Sequence, residues 1–146
     1  MVLARTRFGA LIVVGWVFVQ TLPAISEDTP NSEQAKLLNF KYKPYDVTDQ
    51  KLVFVGQVVN NSQTRWKASI CVRLYDADGF EIENAGGGKV NLGPGQSDDS
   101  NGDTRLEPKL WAQVVSIKAY VATYGCADSP GEAISPVIEL KTQNRN

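Results

Sequence analysis

The sequence of 146 residues contains no histidine. Histidine is the most common general base at neutral pH, a frequent zinc ligand and a member of most Ser-His and Cys-His pairs. Neither a nucleophile elbow nor a Ser-x-x-Lys motif is present instead, and no spacing of acids singles out a glycosidase-type carboxylate pair. The stretch NAGGG (84–88) lacks the Gly-Lys-Ser/Thr element of a phosphate loop and predicts a flexible hairpin loop. We therefore predict a protein that is not an enzyme and needs no cofactor.

An excess of basic side chains is also missing. The chain has 15 Lys and Arg against 16 Asp and Glu, which gives a formal net charge of −1. Proteins that bind nucleic acid through its phosphates usually carry a basic patch and a high isoelectric point. The charge balance therefore excludes nucleic acid as an expected partner.

The N-terminus is typical of a secretory signal. Arg5 and Arg7 precede an uncharged, mostly apolar run over residues 8–19, and small residues follow before the chain turns polar. The pattern predicts a signal peptide over 1–26, cleaved after Ser26, and a polar linker over 27–35. The predicted location is periplasmic or extracellular, without membrane insertion after cleavage. The alternative is a domain tethered by an uncleaved N-terminal segment.

Cysteine is rare as well. The two cysteines, Cys71 and Cys126, are plausible disulfide partners in an exported chain, because oxidising compartments preserve such bonds. The bridge would close a loop of about 55 residues. Two buried free thiols are the alternative.

What the sequence does contain is a series of short apolar runs separated by turn residues. In RWKASICVRLYD (65–76), apolar and polar side chains alternate, which is typical of a half-buried strand. The acidic stretch 97–103 predicts a polar loop, and 107–115 predicts one helical turn. Strands are expected over 36–43, 51–60, 65–76, 80–83, 116–126 and 136–141, with a further short run at KVNL (89–92). The spacing predicts an all-β protein, an antiparallel β-sandwich of about seven strands.

Three motifs follow in order: VFVGQVVNNS (53–62), VRLYDADG (72–79) and LGPGQ (92–96). Together they resemble the FxLYD-type domain of bacterial and archaeal exported proteins, over roughly residues 37–125, with Val72 in place of the Phe. The resemblance implies an immunoglobulin-like sandwich over 36–146. It implies core packing for Leu74, an outer-edge position for Tyr75, and a turn shaped by Asp76 and Gly79. The family has no agreed biochemical activity.

Acidic residues supply the candidate metal ligands. Asp99, Asn101 and Asp103 alternate in sequence, and oxygen ligands on alternate residues can surround a calcium ion. The alternative is a solvated acidic loop. The Asp76–Gly79 stretch also has carboxylates at calcium-like spacing, but it is better explained as an Asx-type turn.

Aromatic residues supply the candidate binding surface. Tyr120 and Tyr124 share the outward parity of their predicted strand with Lys118, so we expect them at the surface, where they could contact a sugar or peptide. Packing across the sheet is the alternative. Trp66 has inward parity and is predicted to belong to the core.

These observations favour an exported, non-catalytic binding or accessory module of the cell envelope. The expected partner is another envelope or extracellular protein. A calcium- or carbohydrate-binding β-sandwich module is the alternative, and it would use the acidic residues or the exposed tyrosines.

Overall fold

A computed structural model describes residues 33–123, 125–126 and 133–142. The predicted signal peptide lies outside these residues. Within them no helix is long and apolar enough to span a bilayer. The elements are β1 (Ala35–Asp46), β2 (Lys51–Asn60), β3 (Trp66–Tyr75), β4 (Glu81–Gly86), β5 (Val90–Leu92), β6 (Ser97–Arg105), α1 (Pro108–Trp111), β7 (Ser116–Ala122) and β8 (Ile138–Lys141). The helical turn expected within 107–115 is present as α1.

The strands form two antiparallel sheets, which confirms the all-β sandwich. One sheet has the order β1-β2-β6, and the other has the order β4-β3-β7-β8 with β5 also paired to β3. The pairs β2–β6 and β3–β7 join strands that are distant in sequence. Strands β1, β2 and β6 match A, B and E of an immunoglobulin domain, while β3, β7 and β8 match C, F and G.

Alternating side chains explain how the sheets pack. On β3, Ile70, Val72 and Leu74 are fully buried between the sheets, and the residues between them point to the outer side. On β2, Leu52, Phe54 and Val58 are buried in the same way. Burying an aliphatic or aromatic side chain of this size stabilises by about 1.5–3 kcal/mol. Successive side chains of a strand point to opposite faces, so the core also decides which residues face outward.

The prediction of a polar loop over 97–103 is wrong, because these residues belong to strand β6. Two of their inward positions, Ser100 and Gly102, carry small residues. A Cβ on Gly102 would lie 2.6 Å from Cζ of Phe54 and 2.8 Å from the carbonyl oxygen of Gly86, so only glycine fits there. Ser100, also inward, donates from Oγ to the carbonyl of Gly88 at 2.7 Å. The strand lacks an apolar inward row because the neighbouring backbone is too close for one.

The flexible loop predicted over 84–88 is also partly wrong. Its first three residues complete β4, and the next two donate backbone hydrogen bonds. The amide of Gly87 bonds the carbonyl of Ile70 at 2.8 Å, and the amide of Gly88 bonds that of Asn101 at 2.7 Å. The segment therefore links the two sheets.

The Asp76–Gly79 stretch is a hairpin turn between β3 and β4. Oδ1 of Asp76 accepts hydrogen bonds from the amides of Asp78 at 3.0 Å and Phe80 at 2.8 Å, which is an Asx-type turn. Gly79 has φ of +85°, a conformation that L side chains rarely adopt. Asp76 therefore has a structural role, and Leu74 just before it is buried in the core.

Asn60 connects two of the motifs singled out in the sequence. It is fully buried at the end of β2. Its Nδ2 donates to the carbonyls of Thr64 at 2.8 Å and Leu92 at 2.9 Å, while Oδ1 accepts from the amide of Ser62 at 2.8 Å. This side chain therefore holds the turn after β2 against the end of β5.

We predict that Asn60→Ala lowers the free energy of unfolding by about 2–4 kcal/mol, because the buried carbonyl of Leu92 loses its hydrogen bond from Nδ2 and the amide of Ser62 loses its acceptor Oδ1. The neighbouring Asn61 has an exposed side chain, so Asn61→Ala should change stability by less than about 0.5 kcal/mol. Urea unfolding of the two variants measures the difference. Equal stability of both variants would contradict the role of Asn60.

Candidate functional site

The predicted disulfide between Cys71 and Cys126 is confirmed. The two Cα atoms lie 5.2 Å apart, and the bridge joins β3 to the chain just after β7. In antibody domains the conserved bridge crosses the inside of the sandwich between the B and F strands. Here it lies on the outer side of the five-stranded sheet, where it forms a second small core with Tyr120, Ala122 and Ala133.

Arg73 lies beside this second core. It has outward parity on β3 but is only 6% exposed. Its guanidinium donates to the hydroxyl of Tyr120 at 2.9 Å, to Oε2 of Glu81 at 2.6 Å and to the carbonyl of Cys126 at 3.3 Å. Burial alone lowers the pKa of Arg73, but the hydrogen bonds to Tyr120 and Glu81 outweigh it and raise the pKa above its usual value. The arginine is therefore a charged link between the disulfide segment, β7 and β4.

A shallow hollow of about 320 Å³ opens beside Arg73. Lys118 on β7 lies directly opposite Arg73 in the register, and Glu139 on β8 lies directly opposite Lys118. The ammonium group of Lys118 is 4.6 Å from the centroid of the Tyr75 ring, a cation–π contact. We call this the Arg73 hollow; it is lined by Arg73, Tyr75, Lys118, Tyr120, Val137 and Glu139.

The charges of the Arg73 hollow are mixed. Two cations on adjacent strands repel each other, and the repulsion is offset by one acid on each side. Glu81 pairs with Arg73. Glu139 accepts a hydrogen bond from Lys141, which lowers its pKa, and Lys118 lowers it further. Burial and the nearby Glu81 raise the pKa of Tyr75, so its phenol is neutral at physiological pH.

This arrangement suits binding. Among the described residues, Lys118 has no carboxylate within 4 Å. Its ammonium group can therefore form an ion pair with an anionic group of a ligand. The Tyr75 ring and the half-exposed Val137 provide an apolar contact next to it. Arg73 holds the floor of the hollow in place.

The two tyrosines predicted as surface binding residues have different outcomes. The expectation that Tyr120 is exposed is wrong, because the disulfide and Ala133 cover its ring and leave it 2% exposed. Its hydroxyl nevertheless reaches the Arg73 hollow. Tyr124 lies outside the described residues. Trp66, expected in the core, is partly buried against it.

The three candidate calcium ligands form a row. Asp99, Asn101 and Asp103 are exposed on one face of β6. Neighbours on one face of a strand are about 7 Å apart, so their oxygens do not converge on one point. Over the described part of the chain, no three His, Cys, Asp or Glu residues are grouped to hold a metal ion. Asp103 instead pairs with Lys51 at 3.4 Å.

The sequence reasoning missed Arg73, Lys118 and Glu139 as a group. Parity on each strand correctly places Arg73 and Lys118 on the outer side. Their proximity depends on the β3–β7 register, which pairs residues 45 positions apart. An arginine two residues after a cysteine, on the outward side of β3, was the available signal.

Comparisons with known proteins identify no family. Neither a protein-family model nor a curated protein matches this chain. A calcium-binding mutant of Bacteroides uniformis β-glucuronidase 2 is similar at 14% identity and a TM-score of 0.49, over 73% of this chain and 13% of that enzyme. A FixG-related protein from Vibrio parahaemolyticus is similar at 14% identity and a TM-score of 0.47, over 75% and 94% of the two chains. Likenesses of this strength do not bear on function.

We predict that Arg73→Met lowers the free energy of unfolding by about 2–3 kcal/mol, because Oε2 of Glu81, the Tyr120 hydroxyl and the carbonyl of Cys126 lose the guanidinium that donates to them. Lys118→Met, the matched control on the facing strand, should change it by less than about 0.5 kcal/mol. Urea unfolding with the disulfide intact measures both. Similar losses in the two variants would show that Lys118 is as much a part of the scaffold as Arg73.

For the acidic row, we expect that millimolar calcium leaves the melting temperature unchanged, because its ligands do not surround a point. Thermal unfolding with calcium and with an equal ionic strength of sodium chloride tests this. A rise specific to calcium, lost in Asp99→Asn with Asp103→Asn, would show that a site forms.

Proposed function

We propose that this chain is an exported, non-catalytic binding module of the cell envelope that contacts a partner protein at the Arg73 hollow. The observation that carries the proposal is the Cys71–Cys126 disulfide beside a buried arginine on an outer sheet face. An outward charged residue normally stays in water. Here the chain surrounds it with three hydrogen-bond acceptors, which gives this face a fixed shape.

The disulfide supports export. Such bonds persist in the periplasm and outside the cell, whereas the cytosol keeps most thiols reduced. The predicted signal peptide over 1–26, in a separate part of the sequence, also indicates export. The proposed location is therefore the periplasm or the cell exterior.

The lining of the Arg73 hollow supports binding without catalysis. It holds phenols, two cations and one carboxylate, and it is shallow and open to solvent. Its size and mixed charge fit a protein surface that presents a carboxylate to Lys118 and an apolar group to Tyr75 and Val137. Aromatic anchors such as Tyr75 are common at protein interfaces. The resemblance to the FxLYD-type domain of exported proteins agrees with export and assigns no activity.

A photo-crosslinking amino acid placed at position 137, beside the hollow, tests this in living cells. Val137 is 47% exposed. We expect a discrete adduct with one envelope protein, which disappears when Lys118→Glu is added because the carboxylate contact becomes repulsive. Cross-linking at Val47 is the matched control, since Val47 is 64% exposed in the β1–β2 turn of the other sheet.

The proposal is wrong if position 137 gives no adduct, or the same adducts as position 47. An adduct that persists with Lys118→Glu would remove Lys118 from the contact. Fractionation of the same cells reports the compartment separately. Protein found reduced in the cytosol would contradict export whatever the cross-linking shows.

A further inference from the structure

The outer face of the three-stranded sheet is a second exposed surface, on the opposite side of the sandwich from the Arg73 hollow. Its outward side chains form three columns, one on each strand. The register aligns them in rows such as Lys41–Val55–Asn101 and Lys43–Val53–Asp103. The columns are Lys36, Leu38, Lys41 and Lys43 on β1; Val53, Val55, Gln57 and Val59 on β2; and Ser97, Asp99, Asn101 and Asp103 on β6.

The two outer columns have opposite charge. Over the four rows from Lys36 to Lys43, the β1 column carries three lysines and no acid, whereas the β6 column carries two aspartates and no base. In the next row, Asp46 lies on β1 and Arg105 on β6, so the charges of the two edges are reversed there. Outer strands of a three-stranded sheet lie about 10 Å apart, so over these four rows one edge of the face is basic and the other is acidic. The Lys51–Asp103 pair neutralises Asp103 only in part, because it is a single long contact in water.

The middle of this face is apolar. Val53 is 40% exposed, Val55 is 42% exposed, and Leu38 on the neighbouring strand is 42% exposed. Most outward positions of a solvated sheet are polar, so an apolar strip between two charged edges resembles the centre and rim of an interface.

Geometry decides which partner fits such a face. A second copy stacked face to face is related to the first by a two-fold axis in the plane between them. With the axis along the strands, β1 of one copy lies over β6 of the other, so the basic edge of each copy lies over the acidic edge of its partner. With the axis across the strands, each charged edge would lie over its own equivalent and repel it.

We propose that two copies of this chain associate through the β1-β2-β6 faces, about a two-fold axis parallel to the strands. The apolar strips pack on each other, as the faces of aligned sandwiches do. Lys43 of each copy faces Asp103 of the other, and Lys41 faces Asn101, one row from Asp99. The β6 column, whose acidic residues resembled a calcium loop in the sequence, is then one half of a charge-complementary contact.

The size of the face indicates a reversible dimer. Strand spacing and rise give roughly 400 Å² on each copy, or about 800 Å² for the pair. Stable complexes bury about 1,200–2,000 Å² in total, so this contact belongs with weak, concentration-dependent associations. It does not depend on the partner proposed for the Arg73 hollow, because the two faces lie on opposite sheets.

Charge exchange tests the proposal. In one variant Lys41→Glu and Lys43→Glu make both edges acidic, and in the other Asp99→Lys and Asp103→Lys make both basic. Each alone should weaken dimerisation about tenfold or more, because like charges meet twice across the two-fold axis. Mixed in equal amounts, they should form a heterodimer at least as readily as the unmodified protein, because each reversed edge then faces its opposite.

Sedimentation equilibrium at low salt measures all of these samples. Lys67→Glu with Lys89→Glu is the control, since it makes the same charge change away from this face and should leave dimerisation unchanged. Circular dichroism verifies that the variants fold. A monomer at all concentrations, or a dimer that these variants do not weaken, would overturn the proposal, and so would failure of the mixture to associate. The proposal is supported if each variant alone dimerises weakly and the equal mixture of the two dimerises as readily as the unmodified protein.

Discussion

The structure depends on one constraint, the two-residue period of its central strands. Ile70, Val72 and Leu74 fill the core, so the side chains between them must lie on the outer side of the sheet. The same holds for Ile117, Ala119 and Val121 on β7. The outer positions of the two strands are thereby brought side by side, and the disulfide, the buried arginine and the hollow next to it all occupy them.

What distinguishes this sandwich is the extra layer on its outer side. The second core around Cys71 and Cys126 covers part of a face that most antiparallel sheets leave to water. Arg73 is buried there with its charge compensated by Glu81 and with both Tyr120 and a backbone carbonyl as acceptors. A buried ion pair adds little net stability, but it defines a unique arrangement when every partner is in place. Rigidity of this face is the property on which the proposed binding role rests.

The sequence predicts the architecture well where strands carry an apolar row. Strand β2 and strand β3 follow from alternation, and the disulfide follows from two cysteines in a chain with a secretory pattern. Strand β6 does not follow, because Ser100 and Gly102 occupy its inward side and close backbone packing replaces apolar burial. The exposure of Tyr120 was also mispredicted, since parity identifies the outer face but cannot reveal a second layer that covers it. The grouping of Arg73, Lys118 and Glu139 needed the register of three strands, which is a tertiary property.

The register between β3 and β7 is therefore the central claim, and nuclear magnetic resonance tests it most directly. Backbone cross-strand nuclear Overhauser effects in the oxidised protein should connect Cys71 with Tyr120, Arg73 with Lys118 and Tyr75 with Ser116. A pattern shifted by one residue would place the outward residues of one strand against inward residues of the other. That result would separate Arg73 from Lys118 and would contradict both the β3–β7 register and the Arg73 hollow.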